Sequence, residues 1–133
     1  MTLNFNDIKS AIKFDSISPN LYDETANDTA ACIANSEMRD ANKSTQLRKY
    51  YDELCMWDQK IKQAPENYKE YLPLIKMLNA KVAYANGRKL VDKNFVDLMR
   101  HCLGQLTEEK KTFETCKLFF EAFMGFYKMH KPK

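Results

Sequence analysis

The fold of this chain is decided by residues 113–127, which read FETCKLFFEAFMGFY. The apolar side chains in this stretch recur at steps of three and four residues, the period of an α-helix, and cover more than half of the helix circumference. A helix that is apolar over so much of its surface must be surrounded by other elements. The stretch therefore predicts a helix at the centre of a bundle, with Thr107 as its cap and acidic residues in its first turn.

The helical period continues upstream of this stretch. Ser44 or Thr45 is expected to cap a helix whose apolar face is formed by Leu47, Tyr51, Leu54, Trp57 and Ile61. Another helix is expected to begin at Asp92 and to end at Gly104. Toward the N-terminus, Ser18 and Pro19 predict the start of a thinner helix that runs to about Glu37, and a short helix is predicted between Asn6 and Lys13.

The segment between Tyr68 and Ala85 is also periodic, but it contains a proline. Pro73 is expected either to kink the helix or to mark its true first turn, with Asn67–Tyr71 as a preceding turn. Gly87 follows the last periodic residue, so we expect it to end the helix in the left-handed conformation.

These patterns contain no strand-like alternation, and no repeat of solenoid length is present. The chain has only three glycines and four prolines, and most of them stand between periodic runs, which favours long helices over the frequent turns of a sandwich or barrel. We therefore predict an all-α fold, a compact bundle of about five helices. It should form a single domain over residues 1–133, with residues 1–18 either flexible or forming a short extra helix.

Hydropathy and cysteine spacing exclude several classes of protein. The mean hydropathy is −0.59 and no long uncharged apolar run occurs, which excludes a membrane-spanning helix. The N-terminus has neither a basic start nor an apolar signal core, so we expect a cytoplasmic protein. The four cysteines form no C-x-x-C pair and no histidine stands at zinc-ligand spacing, so we expect apolar thiols, no metal and no cofactor.

The sequence offers little for catalysis, and we predict that the protein is not an enzyme. Neighbouring carboxylates, such as Asp52 with Glu53, diverge around a helix and would not share a proton. No glycine-rich phosphate loop or hydrolase motif is present. A metal-free ribonuclease that uses His101 and His130 as acid and base stays open as an alternative.

Charge is divided unevenly along the chain. Residues 1–40 contain three basic and seven acidic side chains, a net charge of −4, whereas residues 41–133 carry +7. An acidic start and a basic remainder would allow copies to stack head to tail, and the basic part could bind a polyanion.

Several basic residues occur at helix ends or beside apolar stripes, where a charge can hold a phosphate while the helix stays packed. Lys43 precedes a helix start, Arg48 flanks an apolar stripe, and Lys81 and Arg88 are two helical turns apart on one face. These residues are candidates for nucleic-acid contact, together with Lys49 and Lys128. Tyr50, Tyr84 and Tyr127 border basic residues and are candidates for stacking on bases.

Three blocks of sequence resemble one known family, the small subunit of type III-A CRISPR effector complexes. Residues 44–51 resemble its hydroxyl-x-Leu/Ile-Arg helix start, and residues 78–88 resemble its Lys-x-x-Tyr-x-x-Gly-Arg segment. Residues 119–128 resemble its C-terminal Phe-Glu-Ala…Tyr-x-Lys helix. The blocks occur in the expected order between residues 44 and 128, whereas the segment before Asn42 matches none of them.

The resemblance implies a small helical bundle without known catalytic activity that acts in antiviral defence. Several copies would stack along the duplex of CRISPR RNA and target RNA, beside the backbone and large subunits of the complex and away from any membrane. It would make Arg48, Lys81 and Arg88 the best candidates for contact with the RNA backbone, followed by Lys43, Lys49 and Lys128. The alternative is a helical protein-interaction adaptor whose basic face meets an acidic partner.

Overall fold

In a computed structural model, which describes residues 5–131, the regular structure is entirely helical. The α-helices are α1 (Phe5–Ile8), α2 (Ala26–Ala34), α3 (Ser44–Gln63), α4 (Tyr68–Lys76), α5 (Leu78–Gly87), α6 (Lys93–Leu103) and α7 (Lys110–His130). Short 3₁₀ turns lie at Lys9–Ala11 and Pro65–Asn67, and a π-helical turn at Leu21–Thr25 leads into α2. No strand occurs within residues 5–131. The predicted all-α class is confirmed.

Helix α7 lies at the centre, as its apolar circumference predicts. Phe113, Cys116, Phe119 and Phe123 are fully buried, and α7 packs against both α2 and α3. Its aromatic rings also contact one another, with Phe123 stacked on Tyr127 at a centroid distance of 5.3 Å. The aromatic run is therefore core, and its burial contributes much of the stability of the bundle.

Helix α3 runs antiparallel to both α5 and α7. Near its start, the Ser44 hydroxyl donates to the carbonyl of Lys131, and one turn beyond Arg48 the Tyr51 hydroxyl approaches Glu121 of α7. On the α5 side, Lys81 contacts Glu53 in the middle of α3, and the carbonyl of Leu90, just after α5, accepts from the N–H of Asn42, just before α3. The start of α3 therefore lies beside the ends of α5 and α7.

The connector before α3 is a buried junction, although its sequence reads as polar. Asn42 is fully buried with a φ of 58°, in the left-handed region that asparagine tolerates better than most residues. Its side chain donates to the carbonyl of Ile33 and accepts from the backbone N–H of Asp92. Its own backbone N–H donates to the carbonyl of Leu90, and its carbonyl accepts from the Tyr127 hydroxyl. Asn42 thus joins the ends of α2, α5 and α7 to the start of α6.

Two of the expected helix caps are wrong. Lys43, not Ser44 or Thr45, is the N-cap residue of α3, and it makes no side-chain capping bond. Helix α7 begins at Lys110, three residues after Thr107. The hydroxyl of Thr112 in the first turn accepts from the Thr107 backbone N–H and donates to the Glu109 carbonyl. The helix expected to begin at Asp92 begins one residue later, and Asp92 caps it by accepting from the N–H of Phe95 at 3.0 Å.

The proline-containing segment is two helices. Helix α4 continues through Pro73 and the interruption comes at Met77, so residues 68–71 are helical and the expected preceding turn is wrong. Gly87 is the last residue of α5 and has no positive φ. The left-handed residue is Lys89, with a φ of 63°, and the N–H of Leu90 bonds back to the carbonyl of Ala85, as in a Schellman motif.

The N-terminal segment packs into the core as a short extra helix. Phe5, Ile12 and Phe14 are buried, and the side chains of His101 and Gln105 both bond to the carbonyl of Ile12. The next helix begins later than Pro19 predicts, at the π-helical turn that starts at Leu21. It ends at Ala34, three residues before the expected end at Glu37. Residues 1–4 of the expected N-terminal segment lie outside the described residues.

Three of the four cysteines are buried, as the sequence predicts, and Cys55 is half-buried. Burial raises the pKa of the Cys102 and Cys116 thiols, and it raises that of Cys32 to about 11. These thiols stay protonated and inert at neutral pH. Within residues 5–131 no cluster of three or more His, Cys, Asp or Glu side chains is positioned to hold a metal. In the same range, no helix is long and apolar enough to cross a bilayer.

Candidate nucleic-acid interface

Two surface grooves flank the first half of α3. The α3–α5 groove has a volume of about 420 Å³ and is lined by Lys49, Lys81, Tyr84 and Arg88, among others. The α3–α7 groove has a volume of about 560 Å³ and is lined by residues that include Arg48 and Lys128. Both volumes lie in the range typical of ligand sites.

The helical rotation of α3 separates the cations of the two grooves. Leu47 and Tyr50 face the core. Consecutive residues diverge by about 100°, so Arg48 points toward α7 while Lys49 points toward α5. The exposed edge of α3 is therefore a ridge between two basic grooves.

The α3–α5 groove combines charge with an exposed aromatic ring. Lys81 Nζ lies 2.7 Å from Glu53 Oε1, a pair that holds the lysine at the groove wall. Tyr50 is nearly buried, where it packs on Phe95, and burial raises its pKa despite a hydrogen bond from Gln46. Tyr84, in contrast, is 69% exposed.

The α3–α7 groove has a looser charge arrangement. Arg48 Nε lies 3.7 Å from Asp52 Oδ1, and both side chains are well exposed, so the pair restrains the guanidinium only weakly. Across the groove, a hydrogen bond from Lys117 lowers the pKa of Glu121, while burial raises the pKa of Tyr51. The lowered pKa of Glu121 and the raised pKa of Tyr51 both lie farther from neutral pH than the usual values, so neither group is suited to proton transfer there.

The structure places the six sequence-predicted basic residues beside the first half of α3, five of them in the two grooves and Lys43 just before the helix. Arg48 and Lys128 share the α3–α7 groove, and Lys49, Lys81 and Arg88 share the α3–α5 groove. Lys43 directly precedes α3 and is exposed. We call this surface the basic end, and it consists of two grooves on either side of a ridge.

The prediction of base stacking is wrong for two of the three tyrosines. Tyr127 is fully buried and donates to the carbonyl of Asn42, and Tyr50 is buried against Phe95. Of the three, Tyr84 alone presents its ring to solvent.

The two histidines are bonded to different elements. Nε2 of His101 lies 2.8 Å from the carbonyl oxygen of Ile12, and Nε2 of His130 lies 2.7 Å from Oδ1 of Asn27 in α2. Each imidazole is therefore engaged in a local structural contact.

Sequence reasoning missed a cavity at the end of the bundle where α7 begins. It has a volume of about 810 Å³, and its lining includes Asp15, Glu108 and Glu109 together with Lys111. Asp15 is far from the glutamates in sequence, so only the packing of the N-terminal segment could reveal this cluster. Lys69 pairs with Glu108 at 3.2 Å and offsets part of the negative charge. We call this surface the acidic end.

A model of the type III-A Csm2 family matches residues 19–133. The chain belongs to the Csm2 family. No curated protein and no solved structure matches it significantly. Membership confirms the resemblance drawn from the three sequence blocks and assigns the chain to the small subunits of type III-A CRISPR complexes.

The Csm2 match is wider than the three blocks. It begins at residue 19, so it includes α2 and the junction at Asn42 as well as both grooves of the basic end. The packed segment from Phe5 to Phe14 precedes it.

Proposed function

We propose that this Csm2-family chain is a non-catalytic subunit that binds the backbone of CRISPR RNA and target RNA through its basic end, in antiviral defence. The observation that carries the proposal is that five basic side chains on or next to α3, α5 and α7 line the two grooves that flank the first half of α3, with Lys43 just before the helix. Phosphate contacts position a protein on RNA without reading its sequence, which suits a subunit that must accept any guide.

The helix ends favour phosphate at this surface. The start of α3 presents the positive end of its dipole, and Lys43 leaves this end without a side-chain cap. The negative ends of α5 and α7 are offset by Arg88 and Lys128, at or near the last turns of these helices. The resulting field attracts anions.

The charge division along the chain suggests stacking of several copies, to which Asp15 and Glu109 at the acidic end would contribute. The acidic end of one copy could face the basic rim of the next, in the head-to-tail order that the charge division of the chain suggests. Contacts with the backbone and large subunits, and a cytoplasmic location, belong to the same proposal.

An adaptor that binds an acidic protein is the second candidate. It is favoured by the exposed apolar side chains of Leu74 and Met77 at the interruption between α4 and α5, which are 47% and 52% exposed. Apolar side chains of this kind are more typical of protein contacts than of phosphate contacts.

Charge reversal at the basic end tests the proposal. We expect Arg48→Glu and Arg88→Glu each to weaken RNA binding about tenfold, equally for unrelated sequences. On single strands, each phosphate that the variant no longer neutralises should reduce the salt slope by roughly 0.7. Titration of labelled RNA at several salt concentrations measures both quantities.

Lys110→Glu is the matched control, because it makes the same charge change at the start of α7, remote from the basic end. Equal weakening in all three variants, or a flat salt response of the unsubstituted protein, would contradict RNA-backbone binding and favour the adaptor. Circular dichroism should show unchanged helicity in each variant.

The ribonuclease alternative has a direct test. The purified protein is incubated with labelled RNA, with and without a divalent metal, and we expect the RNA to stay intact. Cleavage that is abolished by His101→Ala or His130→Ala would overturn the non-catalytic assignment.

A further inference from the structure

Tyr84 is the most exposed large apolar side chain among residues 5–131. It lies on α5 between Lys81 and Arg88, three residues from one and four from the other, so the three side chains form one stripe along the helix. The ring is thus presented to solvent within a row of cations, and packing does not account for its position.

The wall opposite this stripe is also basic. Lys49 projects from α3 into the same groove, whose floor is formed in part by Tyr50 and Ala85. Lys81 is engaged by Glu53, whereas Lys49 and Arg88 have no carboxylate partner among the described residues. Two unpaired cations and an exposed ring therefore converge on a groove of about 420 Å³.

This combination matches the parts of a nucleotide. Cationic side chains are favoured partners of a phosphate, and Arg offers paired donors for it. A nucleobase stacks on tyrosine irrespective of its sequence because every base has a π-face. A base within a duplex is already stacked on both sides, so an isolated protein ring can stack only on an unpaired base or a strand end.

We propose that the α3–α5 groove holds one unpaired ribonucleotide, with its base stacked on Tyr84 and an adjacent phosphate bound by Arg88 and Lys49. The inference rests on the proposed RNA binding and adds a preference for a single-stranded or locally unpaired segment at this groove. The α3–α7 groove presents no comparably exposed ring among the described residues and would remain a site for backbone alone.

The test compares single-stranded and duplex RNA of the same length and sequence by fluorescence anisotropy, with the full chain. We expect Tyr84→Ala to weaken single-strand binding about tenfold, within the range measured for base–aromatic stacking, and to leave duplex binding unchanged. Tyr84→Phe keeps the ring and should bind within about twofold of the unsubstituted protein. Tyr22→Ala removes a ring that is exposed elsewhere and should have no effect.

An oligoribonucleotide with abasic sites serves as a second probe. It retains the phosphates but cannot stack, so the unsubstituted protein and Tyr84→Ala should bind it equally. A Tyr84→Ala effect of equal size on single strands, duplex and abasic RNA would overturn the stacking proposal, as would a weakening in Tyr84→Phe that matches Tyr84→Ala.

Failure of this inference is distinguishable from failure of the proposed function. If Arg88→Glu weakens binding while Tyr84→Ala does not, the backbone contact stands and the nucleobase site is refuted. If the unsubstituted protein shows no salt-dependent binding to either form of RNA, the proposed function fails, and the nucleobase site fails with it.

Discussion

Asn42 makes a disproportionate contribution to the architecture for a single polar residue. All of its polar groups are bonded, and they connect the end of α2, the turn after α5, the start of α6 and the end of α7. Buried hydrogen-bonding groups are costly to leave unpaired, so this residue fixes how the helix ends meet. The basic end is built on this junction, because Lys43 follows Asn42 directly.

Replacing Asn42 tests that role. We expect Asn42→Ala to lower the free energy of unfolding by roughly 2–4 kcal/mol, because it leaves the Ile33 carbonyl and the Asp92 N–H unpaired and places a Cβ-bearing residue without side-chain support in the left-handed region. Urea denaturation followed by circular dichroism measures the change.

Asn42→Gly separates the two causes, since glycine tolerates the left-handed backbone but makes neither side-chain bond. We expect it to recover only part of the stability that Asn42→Ala removes. The exposed Asn35→Ala is the matched control, and a destabilisation there as large as in Asn42→Ala would refute the junction role.

At the scale of the element, α3 divides the basic surface in two. Its periodicity was readable from the sequence, because Leu47, Leu54 and Ile61 repeat at helical spacing and are all buried. The two grooves were not readable, since they depend on α5 and α7 lying antiparallel to α3 on different sides. Helix starts were also misjudged where a hydroxyl bonds outside its own helix, as Ser44 does with Lys131.

Glu53 tunes the charge of the α3–α5 groove through its pair with Lys81. We expect Glu53→Gln to tighten RNA binding about two- to fivefold, because it removes the only competitor for Lys81 that the described residues provide, and an exposed pair of this kind is worth roughly 0.5–1 kcal/mol. The gain should fall at high salt.

Glu114→Gln makes the same charge change near the start of α7 and is the control. Unchanged affinity in Glu53→Gln, or an equal gain in both variants, would show that the pair does not compete with RNA. Anisotropy titrations at low and high salt distinguish these results.

The whole molecule includes a segment that the family match does not reach. Phe5, Ile12 and Phe14 are buried, yet they precede residue 19, and they pack against the end of α6. The sequence left this segment open between flexible and helical, because isolated apolar residues among polar ones give no period. Its packing becomes evident only through distant contacts, such as the Gln105 side chain accepting from the N–H of Phe14 at 2.9 Å.

We expect Phe14→Ala to destabilise the protein by roughly 3–5 kcal/mol, the usual effect of truncating a buried phenylalanine, because its ring packs on Phe119 of the central helix. Ile17→Ala, in the exposed part of the same segment, should change stability far less. Thermal unfolding of both variants tests this, and similar melting temperatures for the two would mean that the segment is not part of the core.

Lys89 holds a backbone conformation that glycine would adopt with less strain, and it stands beside Arg88 and Leu90, which both line the α3–α5 groove. Glycine or asparagine would tolerate this backbone better than lysine, whereas lysine adds one more positive charge next to the groove. We therefore expect a glycine in place of Lys89 to raise the melting temperature and, if the groove binds RNA, to weaken that binding, so that folding and binding make opposing demands on one residue.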